Sequence, residues 1–258
     1  MNPTYICLKT IIMDEKIKRN RETIKPKWTD LYKVNSAKRQ GLERPKQFIE
    51  VDDDTSVISL VNEFPNIRQK TLTEVIAGRR SLREYDSKGL SFEELSYLLW
   101  DTSRIDSYRE NAVFRTIPTA GATNSMETYV FVNSVEQIES GIYLYLQNRH
   151  KLALIKQNDG LKDMVNDALL KQLRGASAVF FFTCIPSRTE YKYDFCAHKM
   201  IAIEAGHACQ NVSLSSEVID AGVCAICAYD QDKVDSVLGI DGVEHFTIYC
   251  ATVGKKKH

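Results

Sequence analysis

The run Arg79-Arg80-Ser81-Leu82-Arg83-Glu84-Tyr85 sets three guanidiniums around one hydroxyl, directly after the apolar, helix-like stretch Leu72-Thr73-Glu74-Val75-Ile76. A guanidinium grips phosphate through two parallel N–H donors, and a serine hydroxyl completes such a cradle, so the run can hold a phosphorylated cofactor. The same cluster also reads as a solvated helix end, where cations complement the dipole. The other group with site chemistry is Cys224-Ala225-Ile226-Cys227. A structural zinc needs four ligands, and no second CxxC or HxxxH completes the set, so no metal is expected. These cysteines lie in an apolar run before a turn, where packing is the simpler role.

The elements that must position these residues follow from periodicity. Ser91-Phe92-Glu93-Glu94 is a capping box, predicting a helix that carries Leu95, Leu98, Leu99 and Trp100 at helical spacing. Thr128 to Val132 reads as a strand, and Gly141 to Tyr145 with Lys151 to Ile155 as a hairpin joined through residues 147–150, with Tyr143 and Tyr145 packing from one face. A helix is expected from about Leu161 to Leu173, then a strand from Ala178 to Ile185 buried on both faces at the centre of a sheet. Met200 to Val218 is apolar nearly all round, as a core or dimer-interface helix would be, and His207 inside it reads as a hydrogen-bonded core histidine. A last strand, Phe246 to Val253, precedes a basic tail. The sum is an α+β domain, helices around a mainly antiparallel sheet, over residues 70–258. Residues 1–69 carry Pro3, Pro26, Pro45 and Pro65 without a clean amphipathic period. Each proline biases its predecessor toward extended backbone, which predicts an extended N-terminal arm wrapping the domain or a partner subunit.

Bulk properties exclude several classes of function. Lysine plus arginine and aspartate plus glutamate balance at 34 each, so no global field recruits nucleic acid or a membrane surface. Apolar runs such as residues 176–182 are far short of a bilayer span, and no signal-peptide pattern opens the chain, which predicts a soluble cytoplasmic protein. Seven cysteines, an odd number in a full-size domain, suit reduced and mostly buried thiols.

From about Thr71 to Lys256 the chain resembles the flavin-dependent nitroreductase superfamily. The resemblance rests on the Arg79–Tyr85 run, on Pro118-Thr119-Ala120-Gly121-Ala122-Thr123-Asn124-Ser125, on Arg188 to Tyr193 with Glu204 to Asn211, and on Ala221 to Tyr229. It implies FMN as cofactor, a nitroreductase-like fold with a long central dimer-interface helix, and a homodimer. It further implies Arg79 on the phosphate, Ser81 adding its hydroxyl, and Arg83 near the pyrimidine edge of the ring. Arg80 either contributes backbone or is solvated. Pro118, Thr119 and Ala120 would touch the partner's flavin, with Asn124 beside them. The backbone of Cys227 and Ala228 would lie opposite N5. Lys255 or Lys256 would reach the phosphate, or the terminal lysines form a solvated tail.

The segments around Arg188 and Glu204 resemble the SagB-type branch, which oxidises azolines in peptides. There a Lys-Tyr pair serves proton abstraction while hydride passes to FMN, which assigns catalysis to Lys192 and Tyr193; an exposed loop lysine is the plain alternative. The chain departs from that branch at Asn124-Ser125, where SagB-type proteins carry His-Pro, at Asp194, where glycine is usual, and over Phe195 to Lys199, where an arginine- and tyrosine-rich run is usual. Two rivals remain. One is an NAD(P)H-dependent nitro or quinone reductase, which uses the same FMN contacts without Lys192. The other is a non-catalytic flavin-binding subunit of a peptide-modifying complex. The substrate is a small molecule or a peptide.

Overall fold

The computed structural model describes residues 15–110 and 112–257; Met1 to Asp14 of the expected arm lie outside the described residues. The arm is less extended than its prolines imply. Helix α1 (Glu15–Ile24) forms before Pro26, supported by the i,i+3 pairs Lys18–Glu15 at 2.6 Å and Lys25–Glu22 at 2.9 Å. A single turn, α2 (Trp28–Leu31), follows, and β1 (Val57–Ser59) pairs antiparallel with residues 151–153. The described arm therefore lies on its own domain, tied by the Lys38 N–H to Tyr191 O at 2.9 Å and by Arg188 Nε to Lys46 O at 2.8 Å.

Both helices that flank the arginine run begin with a reciprocal capping box, Thr71 with Glu74 for α3 (Leu72–Gly78) and Ser91 with Glu94 for α4 (Phe92–Ser103). A short hairpin of β2 (Ile105–Arg109) and β3 (Ala112–Arg115) stands apart from the main sheet. Then come β4 (Met126–Val132), β5 (Gly141–Leu146), β6 (Lys151–Lys156), α5 (Leu161–Ala168), β7 (Ala178–Cys184), α6 (Ser187–Tyr193), α7 (Ala197–Val218), β8 (Ala221–Ile226), α8 (Gln231–Leu238) and β9 (Phe246–Lys255). The seven-stranded sheet runs β1-β6-β5-β4-β7-β9-β8, every pair antiparallel.

Side-chain alternation along the central strands divides the core into two layers. Val130, Val132, Phe180 and Phe182 pack with Leu95, Leu98 and Leu99 of α4 and with Ile201, Ala205 and Val212 of α7. Their neighbours in sequence, Tyr129, Phe131, Val179 and Phe181, pack with Leu161 and Val165 of α5 and Val234 and Val237 of α8. All of β7 is buried, as expected of a strand covered on both faces. Tyr143 and Tyr145 share the α4/α7 layer. The 22-residue α7 is not covered all round, because Ala202, Gly206 and Gln210 form an exposed stripe with Ile203 beside it. No helix among the described residues is long and apolar enough to cross a membrane.

Three boundaries differ from expectation. Helix α5 stops at Ala168, because Leu170, Lys171 and Arg174 take left-handed backbone and the Lys171 N–H closes on Asn166 O at 2.8 Å. Leu169 and Leu173 stay buried from that turn, which is why the apolar period looks longer than the helix. Strand β9 continues to Lys255, paired with Ala221, so Lys255 is strand rather than tail. Lys192 lies on helix α6 rather than in a loop.

Candidate active site

The Arg79 run lies along β8, the last strand of the sheet. Ser81 forms a parallel bridge with Val223, and the Leu82 N–H donates to Val223 O at 2.9 Å. Two glycines permit this approach: a Cβ on Gly222 would sit 2.6 Å from Leu82, and one on Gly254 2.6 Å from the Tyr85 ring. Tyr85 is buried with its hydroxyl 2.8 Å from Thr252 Oγ1, and burial pushes its phenol up to about 12. It therefore anchors the run as a neutral donor.

With Leu82 and Tyr85 turned inward, Ser81 and Arg83 are left exposed, and Arg79 is half-buried where α3 ends. Neither the Arg79 and Arg83 guanidiniums nor the Ser81 hydroxyl has a hydrogen-bond or ion-pair partner among the described residues. Arg80 differs: its Nη1 donates to Ala77 O at 2.9 Å and Arg79 O at 2.8 Å, so it caps α3. The lysines after Gly254 are also engaged by protein. Lys255 Nζ meets Glu94 Oε1 at 2.7 Å and Ile219 O at 2.5 Å, and Lys256 Nζ meets Glu217 Oε2 at 2.5 Å. Each ammonium is thus paired with a carboxylate, Glu94 for Lys255 and Glu217 for Lys256. At the end of β8, Ala225, Cys227 and Ala228 are exposed while Cys224 is buried. Of the described cysteines only Cys227 is exposed, and burial pushes the Cys184 and Cys209 thiols up to about 12, which makes them packing groups.

The Pro118–Ser125 loop is held from below by buried charge. Pro118 is exposed, Thr119 and Ala120 are half-buried, and Gly121, Ala122 and Asn124 adopt φ of 54°, 56° and 53°. Glu204 on α7 accepts from Thr119 Oγ1 at 2.9 Å and Ser125 Oγ at 3.0 Å. Burial raises its carboxyl above the usual range, and the Arg115 charge opposes that. Arg188 Nη1 meets Glu127 Oε1 at 2.6 Å and also donates to Asn124 O at 3.2 Å. The Asn124 side chain is itself fully buried, with Nδ2 donating to Val113 O at 2.8 Å, while its Oδ1 has no hydrogen-bond partner among the described residues. His207 is half-buried rather than a core residue, and its Nδ1 lies 3.3 Å from Pro118 O.

Lys192 and Tyr193 close over this loop. A Cβ on Gly121 would collide with both Lys192 Nζ and Tyr193 Oη, and Lys192 Nζ lies 3.5 Å from Gly121 O. The Lys192 ammonium also stands 5.2 Å from the Tyr193 ring centroid, and Trp28 packs edge-on against that ring at 6.4 Å. Asp194, which departs from the glycine of the SagB-type pattern, keeps a glycine-like backbone with φ 47° and ψ −135°. Its carboxylate compensates by accepting the Phe195 N–H at 2.7 Å.

The structure thus brings the arginine run to one sheet edge and Lys192-Tyr193 to the Pro118–Ser125 loop. Sequence reasoning did not identify the supports: Gly222, Gly254, Arg115, Glu127 and the buried end of Glu204. The two strand glycines carried a readable signal, since a glycine inside a strand marks close approach of another segment. The buried Glu127 and Glu204 did not, because their partners are 61–85 residues away in sequence.

A model of the Nitroreductase family matches residues 76–255. A nitroreductase homologue of Methanocaldococcus jannaschii is 31% identical over 196 residues, covering 75% of this chain and 96% of its own. Among solved structures, a nitroreductase homologue of Anabaena variabilis superposes with TM-score 0.66 at 25% identity over 81% of this chain. The present chain spans 45% of that protein's length. A chain of the Escherichia coli microcin synthetase McbBCD complex, solved with truncated pro-MccB17 bound, shares the fold with TM-score 0.60 at 17% identity, over 80% of both chains.

Proposed function

Because the chain belongs to the nitroreductase family of oxidoreductases, we propose that it is an FMN-dependent, SagB-type dehydrogenase that oxidises an azoline to an azole in a peptide, or carries out a related dehydrogenation. The residues at the β8 edge fit FMN: two guanidiniums and a hydroxyl without partners among the described residues, on a segment seated by Gly222 and Gly254. Arg79 would hold the phosphate, Ser81 would add its hydroxyl, and Arg83 would set positive charge at the pyrimidine edge. The Cys227–Ala228 backbone would offer an N–H to the ring. When bound, FMN supplies the two-electron acceptor. The exposed stripe on α7 supports a homodimer in which Pro118, Thr119 and Ala120 face the partner's cofactor.

Aromatising an azoline removes a hydride from one carbon and a proton from its neighbour. Lys192 would take the proton, and the Tyr193 hydroxyl beside it would hold the ring in place. The observation that carries this reading is the convergence of Lys192 Nζ and Tyr193 Oη on Gly121, in the loop expected to meet the cofactor. A second reading, an NAD(P)H-dependent nitro or quinone reductase, is favoured by Asn124-Ser125 in place of His-Pro.

The two separate on one variant. Lys192→Ala is expected to keep its fold and FMN while losing about 10²–10⁴-fold in turnover of an azoline peptide, the usual cost of removing a general base. NAD(P)H-driven reduction of a nitro compound, where present, survives, because no proton leaves carbon in that reaction. A variant that dehydrogenates the azoline as fast as wild type hands the site to the reductase reading.

A further inference from the structure

A carboxylate only 2% exposed stands beneath the Pro118–Ser125 loop and takes both of its ends on one oxygen. Glu204 Oε2, on α7, accepts from Thr119 Oγ1 at 2.9 Å and from Ser125 Oγ at 3.0 Å. A hydroxyl bonds an ionised acceptor about twice as strongly as a neutral one, so charge tightens both contacts. Burying that charge is costly. Desolvation raises the Glu204 carboxyl, opposed first by the Arg115 charge and then by the two hydroxyls and the Met126 N–H. Arg115 is itself buried, with Nη1 donating to Met126 O at 2.7 Å and with Nε and Nη2 lacking hydrogen-bond partners among the described residues. A neutral amide would accept the same two hydroxyls without this desolvation, so packing alone does not call for a carboxylate here.

The clasp controls the tip of the loop. Between Thr119 and Ser125, Gly121, Ala122 and Asn124 all take left-handed backbone, two of them without glycine's freedom. Such backbone persists only where the surroundings over-determine it. The far side of the loop is tied to α6, where Thr123 Oγ1 lies 2.8 Å from Thr189 Oγ1 and Arg188 Nη1 donates to Asn124 O at 3.2 Å. Helix α6 also carries Lys192 and Tyr193, whose polar ends converge on Gly121. The loop is therefore clamped between two helices: α7 fixes its base, and α6 carries the groups that meet its tip. A shift at the base moves Gly121 against Lys192 Nζ.

We propose that Glu204 is a positioning residue: by clasping Thr119 and Ser125 it sets the register of Gly121 against Lys192 and Tyr193, and through that register the rate of proton removal from the substrate. The rate rests on the dehydrogenase reading; the register of the loop does not.

The test uses the full chain with FMN bound and two variants of the clasp. Glu204→Gln keeps an acceptor oxygen and removes the charge, and Ser125→Ala deletes one donor at the loop base. Flavin reduction by a peptide carrying one thiazoline, followed by stopped-flow absorbance without oxygen, should slow about tenfold in each, because small misplacements of reacting groups are felt in the rate. The peptide concentration giving half the maximal rate should stay within about twofold, since binding is not what the clasp supplies. The double variant should be about as slow as either single one, because both remove the same clasp. Val165→Ala, a buried site in the α5 layer, loses stability through a cavity and should keep the wild-type rate. Amide hydrogen exchange over residues 119–125, measured on the protein without FMN, should rise about tenfold in both clasp variants. A wild-type rate in Ser125→Ala, or single losses that multiply in the double variant, overturns the proposal. Equal slowing in Val165→Ala overturns it as well, by reducing Glu204 to scaffold. If the wild type oxidises no thiazoline peptide, the dehydrogenase reading fails and exchange decides the register: a rise in both variants upholds it, and unchanged exchange overturns it.

Discussion

Two arginine-bearing regions of this molecule follow opposite rules. At the β8 edge, Arg79 and Arg83 stand near solvent with no acid as partner among the described residues. Beneath the Pro118–Ser125 loop, Arg188 is enclosed with Glu127, their side chains 2% and 4% exposed, and it also holds the carbonyls of Lys46 and Asn124. A guanidinium that the protein leaves unpaired is available to a ligand, whereas one shut in with a carboxylate is scaffold whose loss strands a buried charge. Lys255 and Lys256 belong with the scaffold, although they adjoin the arginine run.

The hardest way to break the comparison is to remove Arg188. Arg188→Ala should destabilise the protein by about 3–5 kcal/mol, because Glu127 would remain buried without its partner. Urea unfolding measures this. A loss below about 1 kcal/mol would mean that Glu127 protonates or finds water cheaply, and the enclosed pair would not be scaffold.

The same interior makes a pH prediction. His245 is half-buried with Nε2 2.7 Å from Thr183 Oγ1, and burial together with the Arg188 charge lowers it to about 4 from 6.5. Between those values the unfolded chain binds a proton that the folded chain refuses. The stabilisation is therefore complete above about 6.5 and is lost as pH falls through about 4, by roughly 2–3 kcal/mol. Unfolding followed across that range should show the decline, and His245→Gln should flatten it. An unchanged slope in the variant would assign acid sensitivity to the carboxylates alone.

At the open edge the effect moves from stability to binding. Arg79→Ala should weaken FMN by about 1.5–3 kcal/mol through loss of a charge-assisted phosphate contact, with little change in melting temperature. Arg80→Ala, two bonds to α3 carbonyls removed, should leave FMN affinity intact and cost helix stability instead. Flavin fluorescence titration of both variants decides. Equal affinity losses would erase the distinction between the ligand-facing arginine and the capping one.

How much of this was legible in the sequence depends on the range of the interaction. Local signals were readable: the Ser91–Glu94 capping box does start α4, and the unbroken apolar run around Phe180 does mark the central strand. Helix α5 was overextended because Leu170, Lys171 and Arg174 take left-handed backbone without glycine's permission, which no residue type there announces. The unpaired state of Arg79 and the engaged state of Lys255 were equally invisible. Both depend on where distant acids lie, and Glu94 meets Lys255 across a sequence separation of 161.

The smallest expected effect concerns the join between scaffold and site. Asp194 follows Tyr193 directly and turns the chain with φ 47° and ψ −135°, backbone that glycine adopts without strain and other residues at a cost of about 1–3 kcal/mol. Its carboxylate recovers part of that by accepting the Phe195 N–H at 2.7 Å. Asp194→Gly relieves the strain, loses the acceptor and adds about 0.4–1 kcal/mol of unfolded-state entropy, so it should stay within about 1 kcal/mol of wild type. Asp194→Ala keeps the strain and loses the acceptor, and should be about 1 kcal/mol less stable than the glycine variant. Because the turn aims Lys192-Tyr193 at Gly121, the glycine variant should also retain azoline turnover. Thermal unfolding of the two variants reads the order. If alanine proves as stable as glycine, the left-handed turn costs nothing, and the departure from glycine at this position does not trace to backbone strain.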